Sequence, residues 1–325
     1  MPIKLYGLLH CKEGERSAIN FQPRDFQDQM RVYVRNAIHL ANSLAQQGVG
    51  FTLFTNDKVA VDRLVAAEEC VLPTLEIPFT TVVPTGAGFY SAHFKLDVFR
   101  HLAGLAEAYV GLCDLDMVCI NPCPQSLVNA VAAGVPLCCD ISAQVIPVHG
   151  RAVIVRDLEL LHGRESEGRW SGGGFVAGPP HFFALLSQAI DTLYPAYLAN
   201  IHRVHHIGDE MVTSAAIEVL RSNGVLVEDA EAKGIVGIYW NAETMHPQPP
   251  LTDFARCFLL HLPADKRFLA DLARRSAYSP ASFTQVYADY CKRSQFARAQ
   301  LARTGPGADA RVAYSIPTST YRDER

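Results

Sequence analysis

The chain of 325 residues is 49% hydrophobic and 19% charged, with a formal net charge of -4. That composition supplies a sizeable core and excludes wholesale disorder, and the acidic balance lacks the clustered Lys and Arg that phosphate backbones demand, so no nucleic-acid partner is expected. Nine cysteines scattered from Cys11 to Cys291 are odd in number and sparse, and the start Met1-Pro2-Ile3-Lys4-Leu5 has no secretory-signal pattern. Reduced thiols and a cytoplasmic location are the expectation.

In chain order, Ile3 to Leu9 is an apolar run suited to a buried parallel strand, and Met30, Val34, Ala37, Ile38, Ala41, Leu44 and Ala45 recur at helical spacing before a Gly48 cap. Phe51 to Thr55 is predicted as a strand, Asn56 or Asp57 as the cap of a helix over Val59 to Ala67, and Leu75 to Pro78 as a short strand. A helix over Ser91 to Leu102 then leads into a strand at Tyr109 to Cys113. Pro124 to Ala133 reads as a helix, and Val135 to Cys139, Ala152 to Val155 and Phe175 to Ala177 read as strands. Helices are expected from Pro179-Pro180 onward and over Asp209 to Ser222, Asp265 to Arg275 and Pro280 to Ala302, with a strand at Cys257 to His261. Met117 to Cys139 is uncharged and long enough to span a bilayer, but Pro122, Pro124 and Pro136 interrupt it, so it is assigned to the interior and no transmembrane segment is expected.

The strongest chemical signal is Asp114-Leu115-Asp116 at the end of the apolar strand Tyr109 to Cys113. Two carboxylates flanking one residue can share a hard divalent cation, which in turn can bridge phosphate oxygens. An isolated DxD is equally a turn or capping device. Its context is a preceding helix with His93, Lys95, Asp97 and Arg100, then Trp170-Ser171-Gly172-Gly173-Gly174, Gly208-Asp209-Glu210 at a helix start, and His261 with Lys266 just beyond. His202, His205 and His206 invite a second metal reading, against which an exposed basic loop is preferred.

This ordered set resembles the GT-A glycosyltransferases, most closely the family 8 retaining galactosyl- and glucosyltransferases. Leu96-Asp97-Val98-Phe99-Arg100 ahead of the DxD also resembles toxin-type and Och1-type members. The resemblance covers roughly residues 1 to 270. It implies an α/β fold with a Rossmann-like, mixed and mostly parallel central sheet flanked by helices, and a helical C-terminal extension. It further implies that Asp114, Asp116 and His261 hold Mn²⁺ or Mg²⁺ against the diphosphate of a nucleotide sugar, UDP-hexose above all, with Lys266 on a diphosphate oxygen.

By the same resemblance Lys95, Asp97, His93 and Arg100 touch donor ribose, phosphate or sugar, His10 lies near the base, and Leu115, Ser171, Gly172 and Gly173 line the donor site. Asp209 binds sugar hydroxyls, and Glu210 lies beside the anomeric carbon, where a carboxylate can stabilise an oxocarbenium ion or act as a nucleophile. The sequence departs from the family in having Ser171 where an Asn is usual, Glu210 where Gln is common, and Lys266 one residue closer to its histidine than the family's lysine.

The expected organisation is a catalytic domain over residues 1–262, a packed helical extension over 263–302 and a poorly ordered tail over 303–325. From Lys266 onward, 11 Lys and Arg face 5 Asp and Glu, a local charge of +6. This reads first as a solvated helical face and second as a weak peripheral membrane contact. The acceptor would be a glycan, a lipid-linked group or a protein. Two other functions compete: a haloacid-dehalogenase-type phosphatase with Asp114 as nucleophile, which lacks the expected lysine between Lys95 and Lys233, and a non-catalytic nucleotide-sugar-binding module.

Overall fold

Alternation of strand and helix begins at once: β1 (Lys4–Leu9), α1 (Phe26–Ala45), β2 (Gly50–Thr55), α2 (Lys58–Ala67) and β3 (Thr74–Glu76). The computed structural model describes residues 3–14, 21–241, 244–273 and 280–304. The sequence signals act locally as expected. Gly48 adopts φ +67° just after α1, and Asp57 caps α2 by accepting from Ala60 N at 2.9 Å, a contact of about 1 kcal/mol.

A 3-10 turn over Tyr90–Phe94 runs into α3 (Lys95–Leu102), followed by β4 (Val110–Cys113), β5 (Met117–Cys119), α4 (Gln125–Ala133), β6 (Leu137–Asp140), α5 (Ser142–His149) and α6 (Arg151–His162). Next come β7 (Ser171–Gly178), α7 (Pro180–Asn200), α8 (Asp209–Ser222), β8 (Glu228–Asp229), β9 (Val236–Ile238), β10 (Leu259–His261), α9 (Lys266–Leu272) and α10 (Pro280–Thr304).

The strand expected at Ala152 to Val155 is instead the first half of α6. Its buried positions Ile154, Asp157, Leu158 and Leu161 follow a helical and not an alternating period, a period that the four-residue apolar run cannot show without its downstream continuation. The tail expected over 303–325 falls, beyond Thr304, outside the described residues, as do parts of the basic C-terminal region. No described helix is long and apolar enough to cross a membrane, and none of the nine cysteines forms a disulfide.

The chain is α/β, with a seven-stranded, mostly parallel sheet in the order β3-β2-β1-β4-β7-β6-β8. β7 runs antiparallel to both neighbours, and the other pairings are parallel. Period-two alternation sends Leu5, Leu53, Cys113, Phe175 and Leu137 to one face, under α1, α2 and α4. Tyr6, Phe54, Leu112, Val176 and Cys138 point to the other face, under α3, α6, α7 and α8.

A smaller sheet, β5-β10-β9, lies beside it. Val118, Ile120, Leu260 and Leu262 from this sheet and its flanks join Leu269 and Leu272 of α9 with Phe283, Tyr287 and Cys291 of α10 in one core. The last two helices are therefore the packing support of the small sheet.

Candidate metal centre

The Asp114-Leu115-Asp116 turn is where the chain leaves one sheet and enters the other. Cys113 pairs with Phe175 on β7, and Asp114 N donates to Gly174 O at 2.9 Å. Three residues after Asp114, Met117 pairs with His261 on β10, and Leu262 N donates to Asp116 O at 2.9 Å. One carboxylate is thus fixed by the large sheet and the other by the small one. Buried Leu115 packs its side chain toward Gly7 and Phe51, so only its backbone lies in the turn.

This crossing brings Asp114, Asp116 and His261 together, each offering a ligand atom within 4.8 Å of the others. His261 Nε2 lies 3.1 Å from Asp116 Oδ1 and 3.8 Å from Asp114 Oδ2. The imidazole fits because Gly174 has no side chain: a Cβ there would stand 3.0 Å from His261 Nδ1. Two carboxylates and an imidazole are a donor set suited to a divalent ion such as Mn²⁺ or Mg²⁺. Among the described residues no other cluster of His, Cys, Asp and Glu has this geometry.

Two buried lysines partly neutralise the acidic groups. Lys95 Nζ lies 2.7 Å from Asp114 Oδ1, 2.8 Å from Gly173 O and 3.4 Å from Asp209 Oδ2. Lys266 Nζ lies 2.5 Å from Asp116 Oδ2 and 2.8 Å from Pro263 O. Burial by itself would raise the Asp116 pKa, but the adjoining Lys266 and His261 outweigh it and hold the carboxyl well below the usual range. Burial likewise opposes the charge on Lys95, and Asp114 and Asp209 more than restore it, so its pKa is raised. The Asp209 pKa is raised, chiefly by burial, against the pull of Lys95. Four carboxyl groups, counting Glu210, confront two ammonium groups, an acidic excess that fits a divalent cation.

Asp209 and Glu210 open α8, where the helix dipole favours acidic side chains. Glu210 is fixed through both oxygens: Oε1 accepts from Gly173 N at 2.9 Å and Oε2 from Trp170 Nε1 at 3.1 Å. A Cβ on Gly173 would stand 2.3 Å from Asp209 Oδ2 and 3.0 Å from Glu210 Cγ. The glycine run of β7 is therefore a strand interior that admits carboxylates on one side and an imidazole on the other.

At the C-terminal ends of β1, β2 and β3 lies a cavity of about 570 Å³, lined by His10, Asn56, Glu76, Phe79, Tyr90 and Phe94 among others. His10 stacks on Phe94 with ring centroids 4.2 Å apart. Phe94 immediately precedes Lys95, so the cavity and the acidic cluster share one segment of chain. The carboxyl ends of parallel strands are the usual ligand side of an open α/β sheet.

Several residues assigned to the donor are committed elsewhere. His93 is fully buried, with Nε2 2.8 Å from Tyr197 Oη and Nδ1 3.1 Å from Phe89 O. Asp97 accepts from Thr80 Oγ1, Thr81 N and Arg100, and Arg100 also pairs with Asp191. These two residues pin the segment after β3 and do not reach into the site. Ser171 is buried, its backbone paired with Ser214 Oγ, and Gly172 faces Ile141.

Lys266, expected on a diphosphate, sits on Asp116. Nor are the histidines before α8 a wholly exposed basic loop. The His205 side chain is only 7% exposed, pairs with Asp157 at 2.7 Å and packs on Trp170 at 4.7 Å.

Sequence reasoning overlooked the contributions of Trp170 and Gly174. An apolar strand carrying Gly172-Gly173-Gly174 was the available signal, since adjacent strand glycines mark close approach by other groups. No protein-family model matches the chain, and no curated protein matches it in sequence at a significant level.

Proposed function

We propose that the chain is a GT-A glycosyltransferase that uses a divalent cation, Mn²⁺ or Mg²⁺, to transfer a hexose from a nucleotide-diphospho-sugar, with UDP-hexose as the favoured donor, to a glycan, lipid-linked or protein acceptor. The observation that carries this reading is the convergence of Asp114, Asp116 and His261 at the junction of the two sheets, with Asp209 and Glu210 held against the facing strand. The mixed, mostly parallel sheet agrees with it. The bound cation would supply charge neutralisation for the departing diphosphate.

The chain's own residues supply the rest. The cavity at His10 offers an aromatic and imidazole wall for a nucleobase, and Phe94 joins that wall to Lys95. Lys95 holds Asp114 and Asp209 in register. Glu210, oriented by Gly173 N and Trp170 Nε1, presents a preorganised carboxylate for positive charge developing at the sugar. Retention of configuration follows only from the resemblance to family 8.

A thermal-shift panel of nucleotides, nucleotide sugars and phosphate mimics, with and without Mn²⁺, tests the reading, because a ligand stabilises the state it binds. A Mn²⁺-dependent shift with a nucleotide diphosphate or its sugar is expected, and Asp114→Ala should lose it. A response to phosphate mimics alone would favour the phosphatase. Binding of a nucleotide sugar without turnover of any acceptor would favour the non-catalytic module.

A further inference from the structure

Lys266 is placed by its own helix and by α10. Asp265, at the N-terminal boundary of α9, makes no capping hydrogen bond to that helix. Its carboxylate instead accepts from Tyr287 Oη at 2.6 Å and Tyr290 Oη at 3.0 Å. The backbone at Lys266 is thereby tied to α10, and the buried ammonium is delivered to Asp116 Oδ2 and Pro263 O.

Asp116 then has both oxygens in contact with the protein, Oδ1 with His261 and Oδ2 with Lys266. A divalent cation seeking Oδ2 meets an ammonium already there, in a buried setting where like charges repel strongly. Lys95 differs: it is shared among Asp114, Asp209 and Gly173 O, so it keeps partners if its hold on Asp114 loosens.

We propose that Lys266 is an internal counter-ion that holds Asp116 in the metal-free protein and competes with the divalent cation for it. This rests on the reading of Asp114, Asp116 and His261 as a cation site. Because its backbone is anchored, Lys266 yields by rotating its side chain, which frees the ammonium for an anionic group entering with the cation. A cation alone then binds weakly by design.

Calorimetric titration of the full chain with MnCl₂ alone tests this in the wild type, Lys266→Met and Lys266→Gln. Removing the competing charge should tighten Mn²⁺ binding at least tenfold in both variants, and unchanged or weaker binding would overturn the proposal. Absence of Mn²⁺ binding from wild type and variants alike would instead overturn the cation-site reading beneath it. If neither variant folds, the wild type decides. The ¹⁵N resonance of the Lys266 ammonium, as distinct from that of Lys95, should disappear or move on adding Mg²⁺, and its persistence at saturating Mg²⁺ overturns the competition.

Discussion

The ammonium of Lys95 lies 2.7 Å from Asp114 Oδ1 and is the cation nearest the otherwise unpaired Asp209 Oδ2, at 3.4 Å. Deleting one partner of a buried ion pair leaves uncompensated charge and costs about 3–5 kcal/mol. Lys95→Met should therefore lower stability by about that amount, measured by urea unfolding. Adding Asp209→Asn should recover part of the loss, since the two sites share one interaction. Strict additivity of the two changes would refute the coupling.

Gly173 and Gly172 are adjacent in β7 but differ in what a methyl group would meet. At Gly173 it strikes Asp209 Oδ2 at 2.3 Å, whereas at Gly172 it meets the side-chain end of Ile141 at 3.2 Å. Gly173→Ala is expected to cost about 1–3 kcal/mol through overpacking and to abolish Mn²⁺-dependent nucleotide-sugar turnover. Gly172→Ala should keep at least a third of wild-type turnover. Equal activity in the two variants would show that the approach of α8 to β7 does not matter.

Trp170→Phe keeps the aromatic packing and removes the donor to Glu210 Oε2. A stability loss of about 1 kcal/mol is expected from the broken hydrogen bond. If Glu210 acts on the sugar, kcat should fall at least tenfold with little change in KM, because its orientation matters in the transition state. A rise in KM alone would assign Glu210 to donor binding.

Stability should also depend on pH through His39, a buried residue of α1 facing Phe283 of α10. Burial lowers its imidazole pKa from 6.5 to about 4. Below pH 6.5 the unfolded chain takes up a proton that native His39 refuses, so this contribution is complete above 6.5 and is lost as pH falls toward 4. The full loss is about 3 kcal/mol. Melting temperatures across that window should fall less steeply in His39→Leu than in wild type, and parallel curves would exclude His39 as the source.

Acid should loosen a second contact, between α1 and α9. Asp28 accepts from Arg267 and Arg24, and these hydrogen bonds lower its pKa. Its stabilisation is present above the unfolded carboxyl value and is lost as pH falls from there through the lower folded value. With Arg267 partly exposed, the contribution is about 1 kcal/mol or less. Asp28→Asn should remove this acid-side loss, visible in unfolding midpoints at low salt.

Local chemistry by itself determined most of the elements and the order of the candidate ligands. Period 3.6 in α1, a cap at Asn56 or Asp57 and the apolar run before Asp114 are properties of neighbouring residues, readable without the fold. Such reasoning stops where segments are too short to show a period. β5 and β9 have three residues each and are fixed by pairing with β10, whose strand the sequence does signal at Cys257 to His261, under the cover of α9 and α10.

Only the tertiary structure decided which charged groups meet. Asp114 and His261 are distant in the chain, and their meeting depends on the chain crossing from the large sheet to the small one between Asp114 and Asp116. The crossing also turned Lys95 and Lys266 from expected ligand contacts into partners of those carboxylates, because a buried ammonium must find its counter-charge within the protein.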